Sequence, residues 1–237
     1  SCHGLKSIPC VQWHDWIFVN IDGQAPPFHE YIDSFASHLT EYNLESLTHA
    51  ETRPFEMKAN WKIVQENFIE VLHLPPVHIR LSEYAPFQEH AVVANGNCVG
   101  TIIETGLPSS WAEPALPRYC RVNATSRTAK NLLLFPTFKL VIGPDHCASM
   151  IEFPVSAEFT RQRWDFYFLN TASHDPLFEP ARREIIDFFC ETNEEDLWAV
   201  EGLQRGRHSP SFEGGVLSEV WEGGVHQFFR LNLGYMI

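Results

Sequence analysis

The middle of the chain alternates short apolar segments with turn sequences, and this pattern constrains the fold more than any other feature. Between residues 91 and 169 the apolar segments are rich in β-branched and aromatic residues, which favour strands. Asn-Gly, Gly-Pro-Asp and charged clusters separate the segments, as in the connections of antiparallel sheets. We therefore predict an antiparallel sheet built from AVVANGN, NCVGTIIE, NLLLFPTFKLVIG, CASMIEFPV and RWDFYFLN.

Helical periodicity flanks this region on both sides. Apolar residues recur at helical spacing in FHEYIDSFASHL, in NWKIVQENFIEVLHL, from about residue 178 to 205 and again after residue 216. Pro75 and Pro76 are expected to end the second of these helices, because neither can donate a backbone hydrogen bond. VQWHDWIFVNID is typical of a strand that closes in a turn. One block of strands with helices around it predicts a single α+β domain.

Charge and hydropathy argue against two classes of partner. The 17 Lys and Arg residues face 30 Asp and Glu residues, and the net charge of −13 would repel the phosphates of a nucleic acid. No apolar run reaches the roughly 18 residues that a membrane span requires, and the first residues lack the apolar core of a signal peptide. We expect a cytoplasmic protein with reduced cysteines.

Two histidines, His73 and His78, lie on either side of the double proline. Side chains five residues apart would not share a face of a straight helix, but a break at the prolines would let both imidazoles address one point. Imidazole suits iron, copper or zinc, and two histidines with one carboxylate leave positions of an octahedron open. Because the chain contains 12 histidines, a chance pair is the alternative that the spacing leaves open.

The sequence around these histidines carries a family resemblance. NWKIVQENFIEVLHLPPVH, residues 60–78, resembles a segment of the catalytic domain of Rieske-type non-heme iron oxygenases, which include aromatic-ring-hydroxylating dioxygenases and quaternary ammonium monooxygenases. Residues 5–22 resemble the segment that leads out of the Rieske domain, and NEEDLWAVEGLQRG, residues 193–206, resembles the helix with the carboxylate ligand. The resemblance implies a helix-grip fold, Bet v 1-like or START-like, in which a curved antiparallel sheet packs on a long helix.

The same resemblance implies a mononuclear Fe(II) site that uses O2 as co-substrate. Its ligands would be His73, His78 and Asp196. Asp196 rests almost entirely on the resemblance, because an acidic helix surface would also explain the cluster in which it lies. Three neighbouring acidic residues leave the choice of carboxylate open: Glu191, Glu194 and Glu195.

Glu70 precedes His73 by three residues, and side chains at i and i+3 share a helix face. The simpler role for Glu70 is a hydrogen bond that orients the imidazole. The resemblance implies a further role, in which Glu70 bridges to a histidine of a Rieske cluster on a neighbouring subunit of a homotrimer and so carries electrons. Glu instead of Asp at this place resembles the branch that oxidises quaternary ammonium compounds.

The sequence contains no residues for a Rieske centre of its own. A Rieske 2Fe–2S cluster takes two cysteines and two histidines, in CxH and CxxH pairs, and neither pair occurs. We expect the cluster on a missing domain or a partner chain, favouring the missing domain, with electrons from NAD(P)H through a reductase. Residues 1–22 would follow that domain and form part of the catalytic sheet, and residues 23–237 would form the mononuclear iron domain.

These features predict an oxygenase that hydroxylates or oxidatively demethylates a small organic substrate, with a lean to amines and quaternary ammonium compounds. An aromatic-ring hydroxylating dioxygenase is the alternative within the family, and a non-catalytic helix-grip ligand-binding protein is the alternative outside it. Substrate-binding residues stay unknown. Candidate pocket walls are the proline-rich loop 106–117 and five aromatics, for which plain core is the simpler interpretation because they lie in strands: Phe135, Phe138, Phe153, Phe166 and Phe168.

Overall fold

The structure is a computed structural model that describes residues 4–104, 112–123 and 125–235. Its centre is one antiparallel sheet of seven strands. These strands are β3 (Leu47–Met57), β4 (His90–Asn95), β5 (Cys98–Ile103), β6 (Ala129–Leu134), β7 (Phe138–Ile142), β8 (His146–Ser156) and β9 (Phe159–Leu169). They lie in the order β3-β9-β8-β7-β6-β5-β4. The predicted strand segments between residues 91 and 169 all lie in this sheet.

Strand β3 was not predicted from the sequence. It is an edge strand, paired only with β9 among the described strands, and most of its residues are half-buried or exposed. Its sequence includes Pro54 and several charged residues, which an edge strand tolerates because one of its sides needs no ladder partner. The weak apolar alternation of an edge position explains why the segment was missed.

The first strands form a separate hairpin. β1 (Cys10–Trp13) and β2 (Trp16–Val19) pair with each other and make a two-stranded sheet of their own. The rings of Trp13 and Trp16 contact Phe138 edge-on, with centroids 6.5 and 5.2 Å away. For the described residues, the expectation that residues 1–22 form part of the catalytic sheet is therefore wrong: the hairpin packs its aromatic side chains on a face of that sheet and pairs with neither edge strand.

The helices are α1 (Phe28–Ala36), α2 (Trp61–Ile69), α3 (Leu74–Val77), α4 (Ile79–Tyr84), α5 (Glu179–Arg207) and α6 (Gly223–Gly234). The long helix is α5, with 29 residues. Together with the large antiparallel sheet it confirms the predicted α+β class. Within the described parts of the chain, none of the helices combines the length and apolar character that a bilayer-spanning helix needs.

The helix before the histidines ends earlier than predicted. α2 stops at Ile69, and Glu70 has an extended backbone with φ −86° and ψ 158°. The Glu70 carboxylate accepts hydrogen bonds from the backbone N–H groups of Leu72 and His73, at 2.5 and 3.2 Å, which caps the next turn. Pro75 and Pro76 lie in the first turn of α3, where a missing N–H costs nothing. Both prolines therefore begin a helix instead of ending one.

Candidate metal centre

Three side chains from separate elements converge at one point. His73 lies at the N-terminal end of α3, His78 lies between α3 and α4, and Asp196 lies in the middle of α5. Asp196 Oδ1 is 2.9 Å from His78 Nε2 and 3.7 Å from His73 Nε2. The potential ligand atoms of all three residues lie within 4.8 Å of one another, so a single metal ion could contact all three.

Carboxylates hold the opposite sides of both imidazoles. Glu70 Oε1 lies 2.5 Å from His73 Nδ1, and Glu195 Oε2 lies 2.7 Å from His78 Nδ1. A carboxylate accepts but does not donate when ionised, so each Nδ1 carries the proton and each Nε2 of the neutral ring presents a lone pair. Metal-binding histidines are held in the same way. Both lone pairs therefore face Asp196.

The donor set fits a divalent cation. Asp196 Oδ1 is buried and has no hydrogen-bond partner, although His78 Nε2 is only 2.9 Å away, so the two groups approach each other without bonding geometry. Burial lowers the pKa of His78, but the nearby carboxylates of Asp196 and Glu195 outweigh burial and raise that pKa. The site attracts positive charge to this ring, and a metal ion would take the place of the proton.

The competing acidic residues of α5 have other environments. Glu191 pairs with Arg80 at 3.0 Å, Glu194 is exposed, and Glu195 bonds the outer nitrogen of His78. Among these neighbours only Asp196 belongs to the converging set within the described chain. The geometry thus favours Asp196 as the third ligand for a reason that the sequence could not supply.

Comparison with known proteins identifies the family. The sequence model of the family described as ring hydroxylating alpha subunit (catalytic domain) matches residues 44–232, which is most of the chain. The chain belongs to this family.

Relatives of this ring hydroxylating catalytic domain include quaternary ammonium oxygenases. The carnitine monooxygenase oxygenase subunit of Escherichia coli K12 is 24% identical over 218 residues, covering 89% of this chain and 54% of the relative. The chloroplastic choline monooxygenase of Amaranthus tricolor is 21% identical, covering 95% of this chain and 50% of the relative. The chain therefore spans about half the length of these relatives.

Solved structures share its fold. A quaternary ammonium Rieske monooxygenase superposes with a TM-score of 0.78 at 22% identity, over 96% of this chain and 62% of the other. Naphthalene 1,2-dioxygenase superposes with a TM-score of 0.66 at 16% identity, over 98% of this chain and 65% of the other. Non-heme iron and a Rieske cluster partner are the cofactors that membership of this oxygenase family implies.

A cavity in this ring hydroxylating domain opens directly onto the converging residues. Its aromatic walls come from α2, β9 and α5: Phe68, Trp164, Phe188 and Phe189. The five aromatics suggested from sequence do not line it. Phe138 packs on the opposite face of the sheet with Trp16, and Phe153 is 49% exposed. Strand periodicity could not tell which face of the sheet held the cavity.

The proline-rich loop is only partly described. Residues 106–111 of the proposed loop lie outside the described residues. Of the remainder, Leu116 is buried in the cluster that packs against α5. No residue of 112–117 lines the cavity in the described structure.

A buried polar network beside the cavity was missed altogether. Lys139 and Glu152 form an ion pair whose side chains are 1% and 0% exposed. Glu152 accepts hydrogen bonds from Gln65 of α2 at 2.9 Å and from Gln162 of β9 at 3.1 Å. Gln162 in turn accepts one from Asn193 of α5 at 3.1 Å. The signal was one charged residue inside each of two otherwise apolar segments, FKLVI and CASMIEF.

Proposed function

We propose that the chain is the catalytic domain of an oxygenase in which His73, His78 and Asp196 hold Fe(II), with O2 as co-substrate. The observation that carries this proposal is the convergence of two histidine Nε2 atoms and one carboxylate oxygen while both Nδ1 atoms are held by carboxylates. Two histidines with one carboxylate are the donor set of non-heme Fe(II) oxygenases. Family membership favours iron over zinc or copper.

The chain's own residues would hold the metal ion in position and keep water away from the site. Ferrous iron, when bound, would supply the activation of O2. Asp196 on α5 and the two histidines on the α3–α4 segment would fix its position, since each imidazole is held on its outer side. The cavity walls, Trp164 and Phe188 among them, would exclude water and hold a substrate carbon next to the site.

The substrate we favour is an amine or quaternary ammonium compound. The carnitine and choline monooxygenases among the relatives support this choice. The aromatic cavity walls also suit a trimethylammonium group, which ring faces attract. An aromatic-ring hydroxylating dioxygenase is the second candidate, supported by the shared fold with naphthalene 1,2-dioxygenase and by walls on which a flat ring could stack.

Electrons would enter at Glu70. Its side chain is 18% exposed while bonded to His73, so it could be reached from outside the chain. We propose that Glu70 contacts a Rieske histidine of a neighbouring subunit in a homotrimer, with the 2Fe–2S cluster on another domain or on a partner chain and with reduction by NAD(P)H through a reductase. A helix-grip classification and a cytoplasmic location stay predictions.

A reconstituted assay tests the reaction. The chain is loaded with Fe(II), supplied with a Rieske domain and a reductase, and offered methylated amines and aromatic hydrocarbons. Formaldehyde from the amines is the expected product, because oxidation of an N-methyl group releases it. Aromatic diols without formaldehyde would favour the second candidate. Iron-free protein that cannot be loaded would point to a ligand-binding protein.

Exchanging Glu70 separates electron delivery from metal binding. Glu70→Ala is expected to bind iron more weakly, because His73 Nδ1 loses its acceptor, and to lose turnover even when saturated with Fe(II), because the three ligands remain while the proposed bridge is gone. Glu83→Ala on α4 is the matched control, since that carboxylate is exposed and lies outside the converging set. Iron content and single-turnover product yield are measured on both variants. Full turnover in Glu70→Ala would remove the bridging role.

A further inference from the structure

The geometry points to a role for Glu195 that rests on the proposed iron site. We propose that Glu195 is a positioning residue for His78: it holds the imidazole by Nδ1, so that Nε2 is aimed at the metal. The metal affinity of the chain would then depend on a residue that does not itself contact the metal.

Two side chains of helix α5 contact the His78 ring, one at each ring nitrogen. The consecutive residues Glu195 and Asp196 reach opposite nitrogens of the same imidazole, with Glu195 Oε2 2.7 Å from Nδ1 and Asp196 Oδ1 2.9 Å from Nε2. Successive helix residues project about 100° apart, so the two carboxylates are far enough apart to reach opposite nitrogens of one imidazole. The rotation of His78 is therefore set by α5, although His78 belongs to the α3–α4 segment.

The hydrogen bond between His78 and Glu195 matters for metal binding because the His78 ring is buried. The His78 side chain is 1% exposed, and Glu195 is the acceptor that the described structure provides for its Nδ1. A buried N–H that loses its acceptor carries a penalty. The ring could relieve that penalty by moving its proton to Nε2, but that tautomer has no lone pair for the metal.

Glu195 differs from Glu70, the carboxylate on the other histidine. Glu70 also accepts two backbone N–H groups, those of Leu72 and His73, so it shapes the local fold as well as the ring. Glu195 is 43% exposed, and the hydrogen bonds of the described chain give it only His78 as partner. An effect of changing Glu195 would thus report on the orientation of His78.

The test measures metal affinity in two variants and a control. Fe(II) dissociation constants are determined anaerobically by letting each protein compete with a chelator for the iron. The proteins compared are the parent chain and three variants: Glu195→Ala, Glu195→Gln and Glu194→Ala. Glu195→Ala should bind about 10- to 100-fold more weakly, the usual effect of losing a hydrogen-bond partner of a metal ligand. Glu195→Gln should recover part of the loss, since its amide oxygen still accepts from Nδ1. Glu194→Ala, an exposed neighbour with the same charge change, should match the parent chain.

Further readouts separate positioning from folding. The melting temperature of each metal-free variant is measured, and the visible spectrum of Co(II) bound in place of iron reports ligand geometry. An altered Co(II) spectrum in Glu195→Ala, with an unchanged melting temperature, is the expected result. Parent-like affinity in Glu195→Ala, or a loss explained by unfolding of the metal-free protein, would overturn the proposal. Absence of metal binding by the parent chain would instead overturn the proposed function.

Discussion

One face of the seven-stranded sheet is closed by apolar packing, whereas the other face carries the cavity and the converging residues. On the closed face, Trp16, Phe35 and Phe138 pack with Leu140 of β7. On the open face, the next residue of that strand, Val141, lines the cavity. Adjacent residues of one strand therefore serve different purposes, because successive side chains of a strand point to opposite faces.

The two faces also differ in what holds them together. Both faces have aromatic and aliphatic contacts, such as Trp16 with Phe138 on the closed face at 5.2 Å and Trp164 with Phe166 on the open face at 6.0 Å, but only the open face adds a buried ion-pair network among the described residues. On the open face, the network around Lys139 and Glu152 joins the sheet to α2 and α5, the helices next to the proposed ligands. A buried polar network fixes one arrangement more strictly than apolar contacts do. We infer that apolar packing stabilises both faces, and that the buried polar network of the open face also fixes the position of the helices next to the proposed ligands.

The largest effect is expected from breaking the buried ion pair. Lys139→Met should destabilise the protein by about 3 to 5 kcal/mol, because Glu152 would be left as an uncompensated buried charge. Chemical denaturation measures the loss. The double variant Lys139→Met/Glu152→Gln should recover most of it, since no charge then stays buried and glutamine can still bond its neighbours. No recovery would mean that the pair acts through packing alone.

A somewhat smaller effect is expected on the closed face. Leu140→Ala should cost about 3 kcal/mol of unfolding free energy, because Leu140 is fully buried and its truncation leaves a cavity. Fe(II) affinity should stay unchanged, since the side chain points away from the converging residues. Leu203→Ala on α5, where the side chain is 49% exposed, is the control and should stay within about 0.5 kcal/mol. A loss of metal binding in Leu140→Ala would contradict the division between the faces.

The smallest effect is expected from adding volume to the cavity wall. Val141→Ile should change stability by less than about 1.5 kcal/mol, because the extra methyl group has the cavity to occupy. Cys147→Leu on the closed face, where Cys147 is 1% exposed, should cost about 1 to 3 kcal/mol through overpacking. Thermal unfolding compares the two. Equal costs would indicate that the two faces are packed alike.

The sequence predicted the sheet and the long helix, because strong periodicity encodes them. A specific local segment singled out His73 and His78, and the structure brings these side chains together, while their role as ligands stays a prediction. It missed β3, whose edge position leaves little apolar alternation. It also placed the end of α2 at the prolines, because the capping of Leu72 and His73 by Glu70 depends on a side-chain conformation. Local patterns thus determined the elements but not their exact boundaries.

Long-range relations were harder to predict than local ones. The hydrogen bond between His78 and Glu195 spans 117 residues of sequence, and the network of Gln65 and Glu152 spans 87. No spacing rule connects such positions, because they meet only when α5 packs over the sheet. The cavity walls could not be predicted for the same reason. The sequence does not show which face of the sheet a strand aromatic occupies, because the hairpin of β1 and β2 covers one face only in the folded protein.

Equilibrium binding of Fe(II) to the purified chain tests the central claim most directly. Anaerobic titration, with iron content measured after dialysis, should give stoichiometric binding to the parent chain and none to Asp196→Ala, with Glu194→Ala as the matched control that still binds. Asp196 Oδ1 is the carboxylate oxygen that faces the Nε2 atoms of both histidines, at 2.9 and 3.7 Å, so its removal leaves an incomplete donor set. Retention of iron by Asp196→Ala, or its absence from the parent chain, would contradict the account.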